Sequence, residues 1–148
     1  MSDPTQDSAA EATTAAATAT EEKKNGLIAD HYPSGKVHCE VNYVDGVKDG
    51  EGRMFYESGK VYAVETWVGG ELNGLTTTYY ETGVVQAELN YKDGKLEGVS
   101  KEYFPSGKLE SETHYKDGLA EGPCTIYAES GAVERQLTYK AGQLVRGQ

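Results

Sequence analysis

A chain of 148 residues with 24 acidic and 14 basic side chains, net charge −10, is of single-domain size. It is also too acidic to favour nucleic acid or an anionic bilayer, because both are held by Lys and Arg neutralising phosphate. Only 37% of the residues are hydrophobic and no stretch of them is long enough to cross a bilayer, so neither a large core nor direct membrane insertion is expected.

Residues 1–24 are rich in Ala, Thr and Glu, with no large apolar residue after Met1. Such a segment has too little apolar surface to hold one conformation, and it lacks the basic start and apolar stretch of a secretory signal. The expectation is a disordered tail on a cytoplasmic protein.

From Gly26 onward the chain repeats every 24 residues. Gly26, Gly50, Gly74, Gly98 and Gly122 open five units, 26–49, 50–73, 74–97, 98–121 and 122–145, within a repeat domain spanning 25–148. Gly35 to Gly131 and Gly46 to Gly142 form two further ladders of the same period. A fixed period without insertions marks an array in which each unit buries its apolar face against its neighbours.

Counting from each opening glycine, positions 6 and 7 hold Phe55-Tyr56, Tyr79-Tyr80 and Tyr103-Phe104, with His31-Tyr32 and Tyr127-Ala128 as partial versions. Position 18 is Tyr43, Trp67, Tyr91, Tyr115 or Tyr139, and Tyr62 is the one aromatic residue off these positions. Ser-Gly or Thr-Gly at positions 9 and 10, and Asp-Gly at positions 20 and 21 of three units, are turn signals between runs rich in Val, Thr and Tyr. Each unit therefore reads as a β-hairpin. The predicted fold is all-β: one elongated, twisted antiparallel sheet of about ten strands and roughly 50 Å.

A two-residue turn at positions 9 and 10 pairs 8 with 11, 7 with 12 and 6 with 13. It places 7, 12, 14, 16 and 18 on an apolar face, such as Tyr32, Val37, Cys39, Val41 and Tyr43. Position 1 lies opposite position 18, where a glycine leaves room for the ring. Positions 6, 13, 15 and 17 make the other face, a tyrosine stripe among polar groups that stiffens the sheet or serves as a contact strip. Cys39 and Cys124 fall about seven strands apart, roughly 34 Å, and are expected to be free thiols.

The residues that would carry catalysis are missing. Gly35-Lys36, Gly59-Lys60 and Gly107-Lys108 are followed by Val37, Val61 and Leu109, so no phosphate loop is present, and Gly50-Glu51-Gly52 lacks the third glycine of a dinucleotide fingerprint. Glu40, Glu88 and Glu112 recur at the same repeat position, whereas acid–base work needs two carboxyls in different environments. His31 and His38, facing each other with Glu40 nearby, fall short of a supported metal site. No catalytic residue, cofactor or metal is expected.

The pattern G-x4-Y-Y-x2-G-K-V-x5-Y-x-D-G-x3-G, fullest in GLTTTYYETGVVQAELNYKDGKLEG at 74–98, resembles the MORN repeat in its bacterial variant form, found in YwqK-like antitoxins. The resemblance covers 26–145 and implies a non-enzymatic scaffold of hairpins. Some eukaryotic relatives associate with membranes or build cytoskeletal assemblies, and bacterial variants are often labelled antitoxins by neighbourhood. Unit two departs at Gly69-Gly70 and Val64-Glu65, which puts its strand register in doubt.

The functional expectation is a scaffold that binds another protein, acting as an antitoxin or immunity-like inhibitor. The acidic surface suits a basic partner. The alternative is a structural, self-associating scaffold, homo-oligomeric and held at membranes through a partner. Candidate contacts are the stripe Phe55, Tyr79 and Tyr103 with Glu88 and Glu112, or else an apolar groove lined by Tyr56, Tyr80 and Tyr91.

Overall fold

The computed structural model describes residues 23–147, so most of the tail expected over 1–24 lies outside the described residues. The strands are β1 (Gly26–His31), β2 (Val37–Val44), β3 (Val47–Phe55), β4 (Val61–Val68), β5 (Glu71–Leu72), β6 (Gly74–Tyr79), β7 (Val85–Lys92), β8 (Lys95–Leu96), β9 (Gly98–Tyr103), β10 (Leu109–Lys116), β11 (Leu119–Tyr127), β12 (Val133–Lys140) and β13 (Gln143–Gly147). All thirteen form one open sheet with antiparallel neighbours in chain order. The count exceeds ten for two reasons. A bulge at the unit boundary splits β5 from β6 and β8 from β9, and Gln143–Gly147 adds a last strand against β12.

Two turn types fold each unit. At positions 20 and 21, Asp45 and Gly46 both take positive φ, 50° and 84°, and Val44 pairs directly with Val47. This is the two-residue hairpin that Asp-Gly favours. The other turn differs from expectation. Gly35 N–H donates to the Tyr32 carbonyl and Tyr32 N–H to the Lys36 carbonyl, both at 2.8 Å, and Gly35 has φ 94°. The loop is thus three residues long and closed by a glycine bulge.

That single extra residue matters because a one-residue slip turns a side chain to the other face. His31 pairs with Val37 rather than His38, and a bulge at position 13 restores the expected register from Asp30↔Cys39 through Gly26↔Tyr43. Positions 12 and 13 therefore exchange faces relative to the sequence reading. His38 packs at a tilt against Tyr32, ring centroids 4.6 Å apart, while Val37 lies on the opposite face with Glu40 and Phe55.

Burial is concentrated on the face of positions 3, 14 and 16. Val41, Ala63, Cys124 and Leu137 are its buried apolar residues, Ala63 at 2% exposure the most enclosed, with Thr76 and Ser100 buried beside them. Along this face Ile28, Val41, Gly52 and Glu65 stand in register, as do Ser100, Thr113, Cys124 and Leu137. Unit two keeps this register. Its acid at position 16, Glu65, accepts the Trp67 indole N–H at 3.1 Å, and Lys48 Nζ lies 4.4 Å from the Trp67 ring centroid.

The glycine at position 1 has another reason than ring packing. A Cβ on Gly26 or Gly98 would meet nothing within 4 Å, and on Gly50 it would meet Asn42, not an aromatic ring. What requires glycine is the boundary bulge, where Gly50 takes φ 115° and the Asn42 side chain donates to the Asp49 carbonyl at 2.7 Å. The close approach under a ring occurs at Gly52, whose added Cβ would lie 3.2 Å from Trp67 Nε1 and from Val41.

Units are stitched twice. Tyr32, Tyr56 and Tyr80 donate their hydroxyls to the carbonyls of Phe55, Tyr79 and Tyr103 at 2.6–2.7 Å. On the other edge, each position 21 amide donates to a carbonyl of the preceding unit, from Gly46 to Lys24 through Gly142 to Ala120. Lys24 and Asn25 take part: Lys24 accepts that bond and Asn25 Oδ1 accepts the Asp45 amide at 2.9 Å. Cys39 and Cys124 are both free, seven strands apart. No helix among the described residues is long and apolar enough to cross a membrane.

Candidate functional site

The face opposite the buried row carries the sequence-predicted stripe. Its rings pair with the position 12 aliphatics, Phe55↔Val61, Tyr79↔Val85, Tyr103↔Leu109 and Tyr127↔Val133. The register slip at the glycine turn is what brings these aliphatics beside the rings. The result is a band of alternating rings and branched side chains along the ribbon, half-buried from Phe55 to Tyr127 and exposed at Val133.

Beside the band runs a second row in continuous register: Ala29, Glu40, Arg53, Val64, Thr77, Glu88, Lys101, Glu112, Thr125 and Gln136. Tyr103 ties band to row by donating to Glu88 Oε1 at 2.7 Å. Its phenol is pushed up to about 12, first by burial, then by that hydrogen bond and the charges of Glu88 and Glu112. Lys101 stands between Glu88 and Glu112 and approaches Glu112 to 3.8 Å. Phe55, Tyr79, Tyr103, Glu88 and Glu112 thus share one surface, with each acid already engaged by a neighbour.

Tyr56, Tyr80 and Tyr91 occupy the other face. Tyr56 and Tyr80 spend their hydroxyls on the inter-unit bonds, and Tyr56 meets Tyr62 edge-on at 5.2 Å. Tyr80 lines a shallow hollow of about 310 Å³ with Gln86, Ala87, Glu102, Tyr103 and Glu110, whereas Tyr91 pairs with Gly74 and Leu96. Position 7 tyrosines are therefore stitching groups first.

Two grooves cut across the band at successive unit boundaries. One, about 520 Å³, is lined by Gly35, Lys36, Val37, Glu40, Phe55, Ser58 and Gly59. The next, about 590 Å³, is lined by Arg53, Gly59, Lys60, Val61, Val64, Tyr79, Thr82 and Gly83. Arg53 and Val64 were not singled out by sequence reasoning as contact residues. Their signal was the Val64-Glu65 departure, which removes the acid that units one, three and four carry at position 15.

The arrangement offers rings, aliphatics and charges for contact. Among the described residues no group of three His, Cys, Asp or Glu is placed to hold a metal ion, and His38, drawn to Tyr32, is not the cross-strand partner of His31.

The family model described as MORN repeat variant matches the chain at residues 48–68, 72–93, 96–117 and 120–141. Each match runs from the end of one glycine-opened unit into the next. No curated protein matches the chain.

Proposed function

The chain belongs to the MORN repeat variant family, a non-catalytic repeat scaffold kind, and from this premise we propose that it binds another protein through the band of Phe55, Tyr79 and Tyr103. The observation that carries the reading is the continuity of that band with Val61, Val85 and Leu109, flanked by the row containing Glu40, Glu88 and Glu112. Rigid rings supply contact area at low entropic cost, and carboxylates beside them steer a basic partner. The finer proposal is an antitoxin or immunity-like inhibitor acting on a basic, nuclease-like protein in the cytoplasm. Affinity capture from the native host, followed by light scattering of the reconstituted pair, tests it. A defined complex with a basic protein whose activity is inhibited supports the proposal, and capture of acidic proteins alone counts against it.

A second reading is self-association. It is favoured by the two ends of the sheet, β1 and β13, which have no further strand beyond them among the described residues and where Leu27 is 62% exposed and Leu144 and Val145 are 55% and 60% exposed. Unprotected strand edges template pairing with another chain. Concentration-dependent growth in light scattering identifies this reading, and a concentration-independent monomer removes it.

A further inference from the structure

The two basic members of the outer row have different surroundings. Lys101 stands in register between two acids, Glu88 and Glu112. Arg53 has Glu40 as its register partner on one side and Val64 on the other. Its Nε binds Glu51 Oε2 at 2.7 Å, and Glu40 and Glu51 both lie in the hollow that Arg53 shares with Leu27, Asn42 and Gly50. Arg53 also lines the 590 Å³ groove, none of whose lining residues is acidic. In a protein of net charge −10 this groove presents Arg53 and Lys60 beside Val61, Val64 and the Tyr79 ring.

We propose that this groove is a subsite for an acidic residue of the protein partner that has an apolar neighbour. The partner's carboxylate takes the place that Glu112 occupies beside Lys101 and pairs with Arg53 and Lys60. The adjoining apolar group lies between Val61, Val64 and Tyr79. An arginine fork meets a carboxylate with directional hydrogen bonds, and the apolar walls reduce its competition with water. The subsite also answers a problem inherent to a repeated surface, on which a partner can shift by one unit with little loss. A single unit that demands the opposite charge fixes the register, as an isolated polar residue does in a coiled coil. The proposal deepens the protein-binding reading above and rests on it for the identity of the ligand as a protein segment.

The probe is 4-phenylbutyrate, a carboxylate on an apolar body, titrated into the full chain and followed by backbone amide shifts. Gly59, Lys60 and Gly83 are expected to shift and saturate with a dissociation constant of about millimolar, the range for a ligand of this size. The amine analogue 4-phenylbutylamine is expected to leave them unmoved. Val64→Glu restores the acid carried by Glu40, Glu88 and Glu112 at the same position, so it is expected to fold, and to weaken the probe about tenfold, as is Arg53→Gln. Equal shifts with the amine, no shift at about 20 mM probe, or unchanged binding in folded Val64→Glu and Arg53→Gln would overturn the subsite. Loss of the subsite with a captured basic partner intact removes this inference alone. Probe binding without any protein partner leaves the groove standing as a carboxylate site and removes the scaffold reading.

Discussion

The Tyr80 hydroxyl donates to the Tyr103 carbonyl at 2.6 Å, joining residues 23 positions apart across a unit boundary. Tyr32 and Tyr56 make the same bond to Phe55 and Tyr79. The series ends at Phe104, which has no hydroxyl to offer Tyr127. In a sheet with so few buried side chains, these bonds add to the strand ladders and position 21 amides that couple neighbouring units.

Removing a link and adding one are expected to have opposite effects. Tyr80→Phe deletes one hydrogen bond while keeping the ring and should cost about 1 kcal/mol. Phe104→Tyr extends the series to the Tyr127 carbonyl and should add about 0.5 kcal/mol or more. Urea unfolding followed through Trp67, the single tryptophan, measures both. Two neutral results would mean that the bonds do not couple the units.

Two glycines separate backbone strain from crowding. Gly50→Ala forces an L-residue into φ 115° with Asn42 3.3 Å from its Cβ, at an expected cost of about 2 kcal/mol. Gly52→Ala has no such backbone penalty but pushes on Trp67 Nε1 and Val41 at 3.2 Å, costing about 1–3 kcal/mol by overpacking. The second variant alone should change the Trp67 emission of the folded protein. An altered spectrum in Gly50→Ala only would reverse the assignment.

Tyr91 sits mid-array and Tyr139 in the last unit, next to the edge strand β13. Truncating a central ring removes support from neighbours on both sides, so Tyr91→Ala should cost about 2–3 kcal/mol and Tyr139→Ala clearly less. Equal unfolding midpoints in the two variants would contradict nearest-neighbour coupling.

Alkaline pH should loosen the band. The fold raises the Tyr103 phenol to about 12, whereas in the unfolded chain it titrates near 10. A group with a raised folded value contributes stability in full below the unfolded value and loses it as pH climbs through the folded one. Its contribution is therefore present below about pH 10 and gone above about pH 12. Thermal melts across that window should fall less steeply for Tyr103→Phe than for the parent, and identical slopes would detach Tyr103 from the alkaline loss.

Glu88→Gln with Glu112→Gln removes two charges from the outer row while leaving an oxygen at residue 88 to accept the Tyr103 hydroxyl. With a basic partner in hand, the double variant should associate more slowly and with weaker salt dependence, at unchanged melting temperature. An unchanged association rate at low salt would make these acids ordinary solvated surface.

The period of 24, the hairpin in every unit and the pairing of position 1 with 18 were legible in the sequence, because glycine spacing and Asp-Gly turns report backbone geometry locally. The sharing of a face by Phe55, Tyr79, Tyr103, Glu88 and Glu112 followed from strand alternation alone. The partners of those side chains did not. Whether the Ser34-Gly35 turn closes over two residues or three depends on hydrogen bonds between Tyr32, Gly35 and Lys36, and that one-residue difference moved Val37 beside Phe55 and His38 onto Tyr32. The use of Tyr56 and Tyr80 as stitching groups, and the groove that Arg53 and Val64 share with Tyr79, Thr82 and Gly83, arise between units rather than within them. A repeat written along the chain states what each unit contains, and only the lateral registry of the assembled sheet decides which side chains meet across a boundary.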